Sequence, residues 1–321
     1  MTRRAFAVPL LMILPALVWT APLGAAESKA VLSAADFARP DSPTGGIQDA
    51  IDALGAEGGV VHVPPGVWRL RRAVVLRSHV TLRGAGSATI LTRGKEAHAK
   101  LTRDARKGET SIELESTKGF RPGDEVALMD GRMHGWHVAH PIVKQVGPKG
   151  LTFTAPIESG HAEGVFRVQH NAVVVNYFPM ICASRMHSGG PVEDVAVEDL
   201  VLEGNLAENP GPWTDFTLAA VHWANVSDSR VRGVTIRGSV GDGIGVQGGR
   251  DNRVEGCLVE DCRGHGLHPG TALRGGIFAN NISRHNGGDG LYFCWQVVGI
   301  TVSGNLLHEN AKSGIGGLGA G

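Results

Sequence analysis

The stretch VEGCLVEDCRGHGL, Val254–Leu267, has three gapless counterparts: VRGVTIRGSVGDGI from Val231, FANNISRHNGGDGL from Phe278 and VSGNLLHENAKSGI from Val302. Their starts lie 23, 24 and 24 residues apart, and each carries a glycine twelve positions after its opening apolar residue. Those glycines are Gly243, Gly266, Gly290 and Gly314, followed in turn by Ile244, Leu267, Leu291 and Ile315. Apolar runs within the segments are short and broken by Gly, Asn and Asp, a pattern of strands and turns rather than helix. A unit of this length holds three short strands and three turns, one coil of a parallel β-helix, and such a coil buries its inner side chains only by stacking on the next. Leucine-rich repeats have similar periods, but their leucine spacing is missing here. The aligned pairs Asn281 with Asn305 and Asn286 with Asn310 fit amides that hydrogen-bond from coil to coil.

Upstream of the repeats, TGGIQDAIDALGAEGG (Thr44–Gly59) places Ile47, Ala50, Ile51 and Leu54 on one helical face. Thr44 offers an N-cap and Gly55 a stop. A β-helix has an open end whose unpaired backbone needs a cover, and a short amphipathic helix before the first coil supplies it. The pattern IQDAIDAL…GGVVHVPPG…VTLRGAG, ending at Gly86, closely resembles the N-terminal cap and first coil of the pectate-lyase-like superfamily of right-handed β-helices. That superfamily includes pectate lyases, polygalacturonases, alginate lyases, mannuronan epimerases and phage tailspike enzymes. The resemblance implies an all-β fold, a right-handed parallel β-helix solenoid with an N-terminal capping helix, over most of residues 36–321. It does not select an activity.

Residues 101–164 interrupt the coils. The RPGD turn at Arg121 and the GPKG turn at Gly147 read as hairpins of a small inserted β lobe. The lobe contains His134, His137 and His140, expected as solvated loop histidines because no carboxylate or cysteine joins them at ligand spacing. A second insertion, EGNLAENPGPWTDFT from Glu203, lengthens an early coil and brings Trp213 as a wall for a cleft. The expected organisation is a signal peptide (1–26), cap and first coils (27–100), inserted lobe (101–164) and later coils (165–321).

The first segment has Arg3 and Arg4, an apolar run from Ala5 to Trp19, and small residues at Gly24, Ala25 and Ala26, the anatomy of a secretory signal peptide. Pro9, Pro15 and Pro22 interrupt a run already short for a membrane span. A secreted or periplasmic protein is the expectation. The chain carries 31 basic and 31 acidic residues, so no global field argues for nucleic acid or stable membrane insertion. The expected partner is a polysaccharide, and the expected chain is a monomer. Cys182, Cys257, Cys262 and Cys294 have no zinc-like spacing and default to small buried apolar groups, with pairing left open. The 46 glycines fit many turns. The final run SGIGGLGAG ends partway through a coil, which raises the expectation of further coils beyond it.

Alignment converts positions into columns, because successive coils lie about 4.8 Å apart. Asp242, His265, Asp289 and Ser313 precede the marked glycines; Gly245, His268, Tyr292 and Gly316 stand two positions beyond them. Strand alternation points the second column outward, so His268 and Tyr292 are expected side by side on an exposed face. β-Elimination on a uronic acid needs neutralisation of the carboxylate, a base at C5 and an acid at O4. His268 and Tyr292 are candidates for base and acid, and Arg274 for the carboxylate clamp. The competing chemistry is an inverting hydrolase using Asp242 and Asp289, about 9.6 Å apart by coil spacing. GHG (Gly264–Gly266) beside GDG resembles polygalacturonases, although the double Asp and the Arg-Ile-Lys motif are missing. GLHPG resembles the Asp-Pro-His motif of mannuronan epimerases without its aspartate. A non-catalytic glycan-binding β-helix is the remaining reading. Trp213 and Trp295 are candidate sugar contacts, while His285 and His308 read as solvated turn residues. No cofactor is required by these residues, and calcium has no motif behind it.

Overall fold

Val231, Val254, Phe278 and Val302 stand in parallel register, and the first three are wholly buried. The repeat therefore stacks as the alternation of its residues demands, with one apolar side chain per coil pointing into a continuous core. This computed structural model describes residues 29–132, 137–159, 163–185 and 189–318. The expected signal peptide and His134 lie outside the described residues.

Three long sheets run the length of the solenoid, one of ten strands and two of seven. One seven-stranded sheet, the site sheet below, contains Val74–Leu76, Ile181–Ala183, Val221–Ala224, Ile244–Gln247, Leu267–Pro269, Leu291–Phe293 and Ile315–Gly317. Neighbouring strands within it are parallel. The marked glycines form a vertical row: the Gly243 N–H donates to His265 O, that of Gly266 to Asp289 O and that of Gly290 to Ser313 O. Space explains them. A Cβ on Gly243 would lie 2.2 Å from Val259 Cγ1, and one on Gly266 would lie 1.9 Å from Ser283 Oγ. The asparagine columns are ladders, with Asn281 Nδ2 donating to Asn305 Oδ1 and Asn286 Nδ2 to Asn310 Oδ1, each at 2.9 Å.

The capping helix runs Ile47–Ala53 and buries Ile47, Ala50 and Ile51 against the first coils. Gly46, in the left-handed region at φ 97°, occupies the cap position, while Thr44 Oγ1 accepts from the Gln48 N–H. Gln48 then reaches the edge of the site sheet. Its Oε1 accepts from the Val75 N–H at 2.7 Å and its Nε2 donates to Val75 O at 3.2 Å.

The inserted lobe is antiparallel and has its own apolar core, including Leu128, Phe153 and Phe166. Its strands extend past the expected limits of 101–164, because His98–Lys100 pairs with Val173–Val175 to close the base of the lobe. The two described histidines there, His137 and His140, are not solvated. His137 is fully buried, stacked on Phe166 at 4.5 Å, with Asp130 3.3 Å from its Nε2. His140 turns to the coil, with its Nε2 3.1 Å from Thr217 Oγ1. None of the four cysteines is bridged. No helix among the described residues is long and apolar enough to cross a membrane.

Candidate functional site

Outward-facing positions of the site sheet line up as Cys182, His222, Gly245, His268 and Tyr292. The sequence pairing of His268 with Tyr292 is thus present, their rings 5.1 Å apart edge to face. Their exposure is a correction. His268 is 4% exposed and Tyr292 half-buried. The cover comes from the second insertion: its turn at Phe216–Leu218 folds back over the sheet, bringing the Phe216 ring to 6.1 Å from both His222 and His268. Gly241 admits this turn. A Cβ on Gly241 would meet Asp215 O at 2.3 Å.

Asp242 organises the centre. Its Oδ2 lies 2.6 Å from His268 Nδ1, and its Oδ1 accepts from the His265 N–H at 2.7 Å. Burial opposes the charge on His268, but the hydrogen bond and charge of Asp242 outweigh it and raise the imidazole to about 9. Asp242 is itself lowered: burial raises it, and the His268 bond and charge more than compensate. With Nδ1 committed to Asp242, Nε2 is the titrating nitrogen of His268. It faces the Gln247 amide at 3.5 Å, and Gln247 is oriented because its Oε1 accepts from the Thr271 N–H. That amide donates to Nε2 in the neutral imidazole.

The column before the glycines is a relay of acceptors rather than a set of local turn bonds. Asp242 takes the N–H of His265, His265 Nδ1 takes that of Asp289 at 2.9 Å, and Asp289 Oδ1 takes that of Ser313 at 2.9 Å. His265 Nδ1 is therefore unprotonated, and the Asp289 carboxylate oxygen 3.1 Å away is a crowded neighbour rather than an ion pair. Burial first, then the His268 charge, holds His265 below its ordinary pKa. Its ring stacks on Tyr292 at 4.1 Å and 14°. The Tyr292 hydroxyl is raised, chiefly by burial and next by Cys294.

Arg274 is not brought to this cluster. The chain turns a corner after Pro269, and Arg274 opens a strand of the ten-stranded sheet, exposed and in register with Arg250. Trp213 packs on His98 and Tyr177 instead of facing His268. Trp295 is 52% exposed and follows Cys294 in the chain. His285 and His308 are partly exposed and share Glu309.

Four groups at the site escaped the sequence reading. Asp215 accepts from the Thr217 N–H and Oγ1–H, and burial, helped by the Asp242 charge, lifts it to about 6. Cys294 is half-buried with its Sγ 3.1 Å from Thr271 Oγ1. Burial raises this thiol, but His268, Thr271 and the Trp295 N–H lower it more, to about 7. Phe216 is the third. Lys312 is the fourth, an exposed cation whose charge reaches His265 and which makes no ion pair among the described residues. The TDFT stretch was an available signal, since an Asp two residues before a Thr is an N-cap pattern; the others had none.

The family described as a right-handed β-helix region matches residues 195–320. No curated protein sequence matches the chain. Among solved structures it is similar to the A-module of mannuronan C-5 epimerase AlgE6 of Azotobacter vinelandii, with 16% identity and a TM-score of 0.54 over 88% of this chain and 58% of that one. The AlgE4 A-module of the same organism gives 17% identity and 0.52 over 88% and 59%. A family 28 exopolygalacturonase of Yersinia enterocolitica gives 15% and 0.54 over 87% and 48%. The chain spans less than two thirds of each of these structures. At such identities the likeness concerns the course of the backbone. Stacked parallel coils, the capped first edge and the matched region together make this chain a right-handed parallel β-helix in fold.

Proposed function

We propose that the protein acts on a uronic-acid-containing polysaccharide and cleaves it by β-elimination at the Asp242–His268–Tyr292 cluster. One observation carries this reading: Asp242 grips His268 Nδ1 at 2.6 Å and leaves Nε2 as a base beside the Tyr292 ring. The fold-level company of mannuronan epimerase modules and an exopolygalacturonase supports a carbohydrate substrate. In the step, His268 Nε2 takes the C5 proton, and the C5–H electrons form the C4–C5 double bond. The C4–O4 bond breaks, and the Tyr292 hydroxyl protonates O4. Proton return from imidazolium to phenolate resets the pair. Lys312 takes the carboxylate-neutralising role first given to Arg274.

The hydrolase reading loses support from the two aspartates themselves. Asp242 and Asp289 are 3% and 5% exposed and each binds a backbone amide of the next coil, so neither is free to activate water. One observation favours a different carboxylate: Asp215, raised to about 6 chiefly by burial, is a candidate acid. Incubation with polyuronates in D2O discriminates. Elimination gives absorbance near 235 nm, hydrolysis gives reducing ends without it, and epimerisation gives C5 deuterium without either. Absence of the 235 nm product from every polyuronate sinks the elimination reading.

A further inference from the structure

A cavity of about 200 Å³ lies where the inserted lobe meets the site sheet, between Pro141 and Ile142 on one side and Cys182 and His222 on the other. His222 belongs to the same outward column as His268, with only Gly245 between them. By coil spacing the two imidazoles are therefore about 10 Å apart on one face. The Phe216 ring lies between them.

The buried imidazole of His222 is what asks for a ligand. It is 3% exposed, and neither ring nitrogen has a hydrogen-bond partner among the described residues. An imidazole shielded from water with both nitrogens unanswered is costly unless something completes it. Burial, reinforced by the charges of His140 and His268, drives it down to about 3, so it presents one N–H donor and one acceptor and no charge.

The other basic groups of the lining face Glu125: His140 Nδ1 lies 3.7 Å from Glu125 Oε1, and its Nε2 lies 3.1 Å from Thr217 Oγ1. Arg185 is matched by Glu125 in two contacts of 2.8 and 3.0 Å, and Glu158 at the mouth is exposed and acidic. A carboxylate entering here would find no unmatched cation and one like charge. Prolines and aliphatic side chains form most of the walls, with Thr154 and Thr217 adding hydroxyls. Apolar walls with one neutral donor and one neutral acceptor suit the apolar face and hydroxyls of an uncharged sugar ring.

We propose that this cavity is a subsite for a neutral sugar unit of the same polysaccharide, held through His222 beside the unit that reacts at His268. The substrate is then a mixed polymer rather than a plain polyuronate. The inference rests on the carbohydrate reading above but not on the elimination step.

Imidazole nitrogen NMR of the full chain tests it without any variant. The probes are neutral oligosaccharides of glucose, mannose, galactose and rhamnose, against oligogalacturonates and oligomannuronates of equal length. A neutral series should shift both His222 nitrogens, while the uronates shift His268 and leave His222 unmoved. His222→Leu, with its fold checked by thermal melting, should weaken binding of that neutral series about tenfold, the loss of one or two hydrogen bonds. Silence of His222 toward every neutral series, or its response to uronates instead, overturns the subsite. A neutral-sugar shift without 235 nm product keeps the subsite and removes elimination; the reverse outcome removes the subsite alone.

Discussion

Asp242 and His268 sit on adjacent coils, and their 2.6 Å contact crosses the coil boundary. The dyad is therefore assembled by stacking, and anything that shifts one coil on the other disturbs it. It also sets the order in which the two candidate proton carriers titrate.

That order fixes the pH dependence of turnover. His268 must lose its Nε2 proton to act as base, near pH 9, while Tyr292 must keep its own, which burial holds above its ordinary value of 10.0. The rate of 235 nm product formation should rise on an alkaline limb with an apparent pKa near 9 and fall only beyond the ordinary tyrosine range. Asp242→Asn should move the rising limb downward, since burial then acts on His268 without its counter-charge. A limb that stays in place in this variant contradicts the dyad.

Tyr292→Phe keeps the ring stacked on His265 and removes one hydroxyl. Turnover should fall by the ~10²–10⁴-fold typical of losing a general acid or base, with little change in melting temperature. His268→Ala should do the same, and the double variant should lose less than the product of the single effects. Full activity in Tyr292→Phe with none in Asp215→Asn would transfer the chemistry to the carboxylates.

Stability should follow pH through the same pair. His268 is raised from 6.5 to about 9 on folding, so its contribution is complete below pH 6.5 and disappears as pH rises through 9. Asp242 is lowered, so its contribution is complete above 3.8 and is lost on acidification. The melting-temperature gap between the native chain and Asp242→Asn should be widest between these limits and narrow toward pH 9. A gap that widens with pH refutes the assignment.

Cys294 should be the reactive thiol of the four. Its alkylation by iodoacetamide, followed by mass spectrometry, should titrate near pH 7, whereas burial raises Cys182 to about 11 and Cys257 and Cys262 to about 12. His268→Gln should shift the Cys294 midpoint up toward 9.0. Equal labelling of all four in the folded chain would disprove the pairing.

The asparagine ladder predicts a cost in stability. Asn281 is wholly buried, accepts from the Cys257 N–H and donates to Val254 O and Asn305 Oδ1. Asn281→Ala strands that N–H in the core, and about 1–3 kcal/mol should be lost in denaturant unfolding. A cost below half a kcal/mol, roughly that of an exposed surface change, would mean water replaces the amide.

Most of the architecture was legible because a solenoid writes its geometry into a period. The glycine row, both asparagine ladders and the neighbouring of His268 with Tyr292 follow from spacing alone. Burial of His268 did not follow. Its cover is the turn at Phe216–Leu218, which belongs to an irregular insertion and has no period to read. Arg274 failed for a related reason. It stands six positions after His268, but the corner at Gly270–Leu273 sends it to another sheet. His137 and His140 looked like loop residues because lobe packing, rather than local sequence, buries the first and half-buries the second.

Gln48 has a consequence for association. Its primary amide supplies Val75 with one acceptor and one donor, the same two groups a neighbouring strand would offer. A side chain that imitates a peptide bond uses up the bonds an incoming strand from a second molecule would need at that residue. The site sheet is thereby closed to end-to-end polymerisation at its first strand, and a single glutamine acts there as a chain terminator in the polymer sense.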